Sequence, residues 1–189
     1  MATLAIAGPR WGEKTCPEFE PMTGVDLKRY AGRWYEIVRD RATPFELLMS
    51  CVTADYSIED DGTLGVTNSG YRNNNGWSSS NGIASPAGDG LKVSFEGMPE
   101  IGDEPNYFVL DTDYETYSVV YSCGNFAGLF TFDMLWVLAR DPELTQEKML
   151  VIKEGIYAKL PGYPFARNAK YTKQGDQCSY EDQLAIVQA

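Results

Sequence analysis

The side chains that could do chemistry in this chain are mainly carboxylates. Its 189 residues include no His, which removes the most common general base, the usual catalytic triads and most zinc sites. We therefore predict no metal site. Glu36, Asp40 and Asp55 could act as general acids or bases where burial raises the pKa of a carboxyl group. Their spacing is not specific for catalysis, so an enzyme is the alternative hypothesis and not the leading one.

The cysteines are the other reactive side chains. Cys16, Cys51, Cys123 and Cys178 lie far apart and show no CxxC spacing. This favours two structural disulfides over a metal or redox site, although the sequence alone leaves their pairing open. Disulfides imply an oxidising compartment, and we predict a protein that is secreted or lies in another such compartment.

The charge limits the partners of this protein. It carries 16 Lys and Arg against 27 Asp and Glu, a net charge of −11. Such a charge repels phosphate backbones and anionic lipid surfaces, and no basic run interrupts it. We therefore predict no nucleic-acid partner. No apolar run approaches the roughly 18 residues of a membrane helix, so we also predict no integral membrane span.

We predict one domain with short segments at both ends. The composition, 43% hydrophobic and 13% aromatic, can fill a core and still line a cavity. The apolar run at residues 4–7 is too short for a secretory signal and lacks its basic start. We interpret residues 1–15 as a flexible segment at a processed or artificial N-terminus. Residues 16–180 form the predicted domain, and residues 181–189 form a loose tail.

Alternation of apolar and polar residues predicts about eight sequential strands joined by short turns. This is the pattern of an all-β, eight-stranded antiparallel up-and-down barrel. The Asp61-Gly62 pair predicts one of the hairpin turns. The predicted strands are 33–41, 52–58, 63–72, 77–84, 91–96, 107–110, 116–123 and 130–139.

The sequence also predicts a helix, an outer strand, a helical turn and a lid loop. Thr145 can cap a helix that runs to about Leu160, with apolar residues at every third or fourth position and Pro161-Gly162 at its end. We expect this helix to pack outside the barrel and an extended piece at 166–173 to add an outer strand. A helical turn is predicted at 26–30. The apolar loop at 42–50, which contains Phe45, is a candidate lid.

Three motifs of this sequence resemble the signature segments of the lipocalin family. They are the run Gly32-Arg33-Trp34-Tyr35-Glu36-Ile37, then Thr112-Asp113-Tyr114, and then Arg140 after the apolar run 134–138. The resemblance extends from Cys16 to Cys178 and is nearest to the apolipoprotein D and bilin-binding branch. It implies an eight-stranded barrel with one C-terminal helix outside.

The resemblance also implies structural roles. It favours the disulfides Cys16–Cys123 and Cys51–Cys178. It assigns Arg140 to stack over Trp34 and close one end of the barrel, a cation–π contact of about 0.5 to 2 kcal/mol. A substrate-binding Arg140 is the alternative.

The resemblance and the strand alternation together imply a set of cavity residues. If Arg140 points inward, Met134, Trp136 and Leu138 share its face. Arg72 lies near a strand end, so it either points into the cavity or extends into solvent at the rim. The predicted ligand-binding residues are Phe45, Tyr56, Val66, Asn68, Arg72, Val93, Phe95, Tyr107, Ser118, Val120, Met134, Trp136 and Leu138.

An aromatic cup with a few polar groups suits a carrier of a small hydrophobic molecule. The expected ligand is a bilin, carotenoid, retinoid, sterol or fatty acid, and no cofactor is required. The alternative is an isomerase or de-epoxidase on the same fold that uses a pocket carboxylate. A protein partner could also bind exposed aromatic loops at Trp77 and 126–132, unless the second loop folds over the barrel mouth. We expect a monomer or a weak homo-oligomer.

Overall fold

A computed structural model describes residues 10–11, 16–41, 43–73, 75–98, 102–126, 130–181 and 183. The helices are α1 (Leu27–Tyr30), α2 (Gln146–Lys159) and α3 (Phe165–Asn168), and a 3-10 helix spans Pro44–Glu46. The strands are β1 (Arg10–Trp11), β2 (Gly32–Asp40), β3 (Met49–Ile58), β4 (Leu64–Arg72), β5 (Gly76–Ala87), β6 (Gly90–Phe95), β7 (Phe108–Thr112), β8 (Tyr117–Phe126), β9 (Phe130–Ala139) and β10 (Ala169–Tyr171).

The strands β2 to β9 form a nearly closed barrel. Their order is β6-β5-β4-β3-β2-β9-β8-β7, and neighbours pair antiparallel. The two ends of this path meet where Leu91 N–H donates to the Tyr107 carbonyl at 2.8 Å and Tyr107 N–H donates back at 3.0 Å. The predicted up-and-down barrel with an outer helix is thus confirmed.

The segments at the two chain ends add short pieces to the barrel. Within the predicted N-terminal segment, β1 pairs with Phe130 and Thr131 of β9, and residues 1–9 and 12–15 lie outside the described residues. In the predicted C-terminal tail, Gln183 is buried and its Nε2 donates to Thr53 Oγ1.

The helix α2 covers one outer face of the barrel, as its apolar spacing predicts. Thr145 caps it by accepting from Lys148 N–H at 3.2 Å. Met149, Ile152 and Ile156 are buried against apolar side chains of the barrel.

The extended piece predicted at 166–173 is shorter in the structure. Residues up to Asn168 belong to α3, and only Ala169–Tyr171 pairs with β2. The reason is tertiary, since Phe165 is buried in the cluster beneath α2 and the chain turns there through bonds to the Pro164 carbonyl.

The base of the barrel is closed by Arg140. Its guanidinium lies 3.7 Å from the centroid of the fully buried Trp34 ring. Gly32 has φ of 96°, and a Cβ there would lie 3.2 Å from Arg140 Nη1, so both conformation and space favour glycine. The guanidinium donates to the backbone carbonyls of Tyr114, Arg33, Arg29, Tyr30 and Ala31 at 2.8 to 3.2 Å.

Hydrogen bonds also stabilise the turn between β7 and β8 at the base of the barrel. Thr112 Oγ1 donates to the Tyr117 carbonyl at 2.6 Å and accepts from Tyr114 N–H at 2.9 Å. Partial burial raises the pKa of Asp113, but hydrogen bonds from Thr116, Tyr117 and Lys148 outweigh it and hold that pKa at about 2. This carboxylate therefore organises the turn.

Two disulfides tie the chain ends to the barrel. Cys16 is bonded to Cys123 and Cys51 to Cys178, with Cα–Cα distances of 6.0 and 5.5 Å. These are the pairs that the resemblance implies, and such bonds persist in an oxidising compartment. Among the described helices, none has the length and apolar character needed to cross a bilayer.

We predict that Arg140→Lys lowers the free energy of unfolding by about 2 to 4 kcal/mol. A lysine ammonium group cannot donate to all the backbone carbonyls that the guanidinium binds, so some of these carbonyls would lose their donor. Urea unfolding followed by tryptophan fluorescence measures the loss. Arg41→Lys, at an exposed turn, is the control and should change stability by less than about 0.5 kcal/mol. An equal effect of both changes would contradict the role of Arg140.

Candidate functional site

A cavity of about 300 Å³ lies inside the barrel. It extends from Tyr56 and Leu138, near the plugged base, to Phe45 and Met98 at the opposite end. Phe45 and Met98 are 48% and 64% exposed, so the cavity opens at their end of the barrel. The site is therefore a cup with one closed end.

Most of the predicted ligand-binding residues lie in the wall of this cavity. Alternation along each strand turns them inward, and the antiparallel pairing brings them to one chamber. The predicted residues that line the cavity are Phe45, Tyr56, Val66, Asn68, Val93, Phe95, Tyr107, Val120, Met134, Trp136 and Leu138. That these residues bind a ligand stays a prediction.

Ser118 and Arg72 are placed elsewhere. Ser118 is fully buried below the cavity, where its hydroxyl bonds to that of Tyr30 at 3.0 Å. Arg72 lies at the last position of β4, where its Nη2 donates to the Phe45 carbonyl at 2.7 Å. Arg72 is not among the residues that line the cavity, and this bond at the rim agrees with the second of its two predicted positions. That Arg72 contacts a ligand stays a prediction.

The cavity floor carries a chain of hydroxyl groups. The Tyr56 and Tyr107 hydroxyls are 2.9 Å apart, and Tyr107 continues to the Tyr30 hydroxyl at 2.9 Å and from there to Ser118. Burial raises the pKa of Tyr30, Tyr56 and Tyr107, so all of them stay neutral. The floor thus offers polar groups without charge.

A charged cluster lies higher on the wall. Arg39 Nη1 donates to Glu36 Oε1 at 2.5 Å, and Arg39 Nη2 donates to the Glu46 carbonyl at 2.6 Å. Trp136 Nε1 donates to Glu46 Oε2 at 3.1 Å. Burial, reinforced by the charge of Glu36, raises the pKa of Glu46 well above its usual range. These contacts fasten the loop that carries Phe45 and Glu46 to the barrel wall.

The three carboxylates considered for catalysis are separated. Glu36 lines the cavity. Asp55 instead forms a bidentate pair with Arg33 at 2.8 and 2.9 Å, and buried Asp40 accepts a hydrogen bond from the Tyr163 hydroxyl. Neither Asp55 nor Asp40 belongs to the cavity wall. Asp55 alternates with the inward Ala54 and Tyr56 and so lies on the outer side of β3, whereas the register of β2 shifts between Glu36 and Val38, so that Asp40 no longer shares the face of Glu36.

The mouth is formed by the loop at 43–48. The Phe45 ring stacks on Trp136 with centroids 6.5 Å apart, and Leu47 and Leu48 are exposed. Trp77 is half-buried in β5, where its ring packs against Tyr71 and Tyr180. That it contacts a protein partner stays a prediction. In the other candidate loop, residues 127–129 lie outside the described residues.

Some wall residues escaped the sequence analysis. Phe132 also lines the cavity, and one further step of alternation from Met134 towards the mouth would have found it. Glu46 ends the short 3-10 helix and Met98 lies in a bend, and neither segment is long enough for a periodicity that indicates which side chain turns inward.

Comparison with known proteins establishes the family. A model of the lipocalin / cytosolic fatty-acid binding protein family matches residues 31–157. Apolipoprotein D of Mus musculus is 35% identical over 165 residues, 82% of this chain and 84% of that protein. Outer membrane lipoprotein Blc of Escherichia coli is 42% identical over 143 residues, 70% of this chain and 75% of that protein. A crystal structure of lobster apocrustacyanin aligns with a TM-score of 0.70 at 22% identity and 84% coverage of both chains.

The chain belongs to the lipocalin family. The resemblance seen in its three sequence motifs is confirmed, and so is its similarity to apolipoprotein D.

We predict that Glu46→Gln changes how stability depends on pH. The unfolded chain loses the Glu46 proton near pH 4.5, whereas the folded chain keeps it to a higher pH. The free energy of unfolding of the wild type should therefore fall as the pH rises from 4.5 towards the raised pKa. Glu46→Gln has no proton to lose at this position, so its free energy of unfolding should not show this decrease.

Urea unfolding between about pH 4.5 and 8 measures this difference. The stability advantage of Glu46→Gln over wild type should grow with pH. Glu154→Gln, which removes an exposed carboxyl from α2, is the control for a lost negative charge. Parallel pH profiles for wild type and Glu46→Gln would show that Glu46 titrates normally.

Proposed function

We propose that this protein is a carrier that holds a small hydrophobic molecule inside its barrel. The observation that carries the proposal is the apolar cavity, closed at its base by Arg140 on Trp34 and open at Phe45. Removal of apolar surface from water would drive binding at about 25 cal/mol per Å², before association costs. This function needs no catalytic group and no cofactor.

The family and the wall chemistry support a lipophilic ligand. Bilins, carotenoids, retinoids, sterols and fatty acids all have the elongated or planar apolar shape that an aromatic cup accepts. We propose a secreted carrier, because two disulfides tie both ends of the domain. We also propose that it acts as a monomer or weak homo-oligomer, since one barrel contains the whole cup.

The enzyme hypothesis rests on Glu36, the one carboxylate among the three considered that lines the cavity. Its Oε1 accepts from Arg39 and from the Thr172 hydroxyl, so this oxygen has a structural role in holding the wall together. The carrier is favoured for this reason.

Filling the cavity tests the carrier function. All-trans-retinol added to the delipidated wild-type protein should bind at one site and quench tryptophan fluorescence. Asn68→Trp, which places an indole in the chamber, should weaken retinol binding by at least about tenfold, because the ligand and the new ring compete for one volume. Ile83→Trp, on the outer face of β5 and 44% exposed, is the matched control and should bind as wild type.

The two variants distinguish a ligand inside the barrel from a ligand bound elsewhere. Binding that is lost only in Asn68→Trp supports a ligand inside the barrel. Equal binding by both variants would place retinol elsewhere and contradict the proposal, provided that circular dichroism shows both variants folded.

A further inference from the structure

We propose that the cavity prefers ligands whose buried end is a neutral hydroxyl or carbonyl group over ligands that end in a carboxylate, and that Tyr56 and Tyr107 bind that neutral end at the floor. This inference rests on the proposed carrier function and deepens it by naming the ligand class.

The hydroxyl chain at the floor has a free hydrogen-bonding position. It runs from Tyr56 through Tyr107 and Tyr30 to Ser118. A linear chain of hydroxyls holds one proton more than it has internal bonds, so one O–H is left to donate outside the chain. Tyr56 and Tyr107 line the cavity, whereas Tyr30 and Ser118 are fully buried below it.

The chain can therefore serve either kind of neutral group. With the spare proton on Tyr56 or Tyr107, the floor donates to a ligand carbonyl. When every proton points towards Ser118, the Tyr56 oxygen keeps lone pairs that accept from a ligand hydroxyl. A buried polar end of a ligand thus finds a partner without any change in the fold.

A ligand carboxylate at the floor would have no positive charge nearby, among the described residues, to compensate its own negative charge. Burial raises the pKa of Tyr56 and of Tyr107, which shows that this floor disfavours negative charge. The guanidinium of Arg140 is bound to backbone carbonyls on the far side of Trp34. The same desolvation would raise the pKa of a ligand carboxyl or expel the anion.

The upper wall does not supply the missing positive charge. The Arg39 side chain is 1% exposed and is occupied by Glu36 and by the loop carbonyls. Lys92, the cationic residue among the described residues of the wall, pairs with Asp103 at the surface at 3.2 Å. Asn68, whose Oδ1 has no partner among the described residues, adds another neutral group.

Two retinoids test the preference, because all-trans-retinol and all-trans-retinoic acid share ring and polyene and differ in the end group. We expect the wild-type protein to bind retinol at least about tenfold more tightly than retinoic acid at neutral pH. The gap should narrow towards about pH 5, where more of the acid is neutral. Equal binding, or tighter binding of retinoic acid at neutral pH, would overturn the inference.

Single-hydroxyl variants test the floor. Tyr107→Phe and Tyr56→Phe should each weaken retinol binding several-fold and reduce the retinol-to-acid ratio, since the apolar contacts remain and only a hydrogen bond is lost. Tyr157→Phe, on the exposed face of α2, is the matched control. Near-ultraviolet circular dichroism confirms packing in each variant.

The results distinguish this inference from the carrier function. An unchanged ratio in both floor variants would show that the hydroxyl chain does not choose the ligand, while the carrier function would stand. Failure of both retinoids to bind to wild type would overturn the carrier function and this inference with it.

Discussion

The contact of the Arg140 guanidinium with the buried Trp34 indole is the constraint on which the rest of the barrel depends. It joins the start of β2 to the residue that follows β9, and its donors hold the carbonyls of Arg29 and Tyr30 in α1 and of Ala31 after it. A cation over an aromatic face is worth most where water is excluded. Because this plug closes one end, the chamber above it is a cup and not a channel, and its floor can be kept dry.

The opposite end is held by charges. Arg39 and Glu36 are buried in the wall, where unpaired charges would be costly, and their ion pair compensates for that burial. Glu46 adds its backbone carbonyl, which accepts from Arg39, and its side chain, which accepts from Trp136. The same contacts, with Arg72 on the Phe45 carbonyl, hold the mouth loop so that Phe45 stacks on Trp136. The entrance is thus shaped by ion pairs, whereas the base is shaped by aromatic packing.

This division gives the cavity a direction. Its floor consists of neutral hydroxyls in a desolvated aromatic setting, and its carboxyl groups lie higher, beside the mouth loop. A long apolar molecule with one neutral polar end matches that order when the polar end enters first. The disulfides stand outside this chamber and tie the chain ends to the barrel walls.

The sequence by itself determined the strands and the capped helix α2, since these depend on local alternation and caps. Its motif residues, such as Gly32 and Arg140, implied the plug through their resemblance to the lipocalin family, and that resemblance together with alternation implied most of the inward residues. The tertiary structure decided how deep each inward side chain lies in the barrel and which groups it contacts. Alternation turns Ser118 inward, but only the packing of Tyr30 from α1 shows that it lies below the cavity. The inward turn of Glu46, the capture of Arg72 by a loop carbonyl and the turn of α3 around Phe165 are contacts between distant segments. A residue's own neighbours in sequence fix the side of the strand on which it lies, but not what covers it, because covering groups come from elsewhere in the chain.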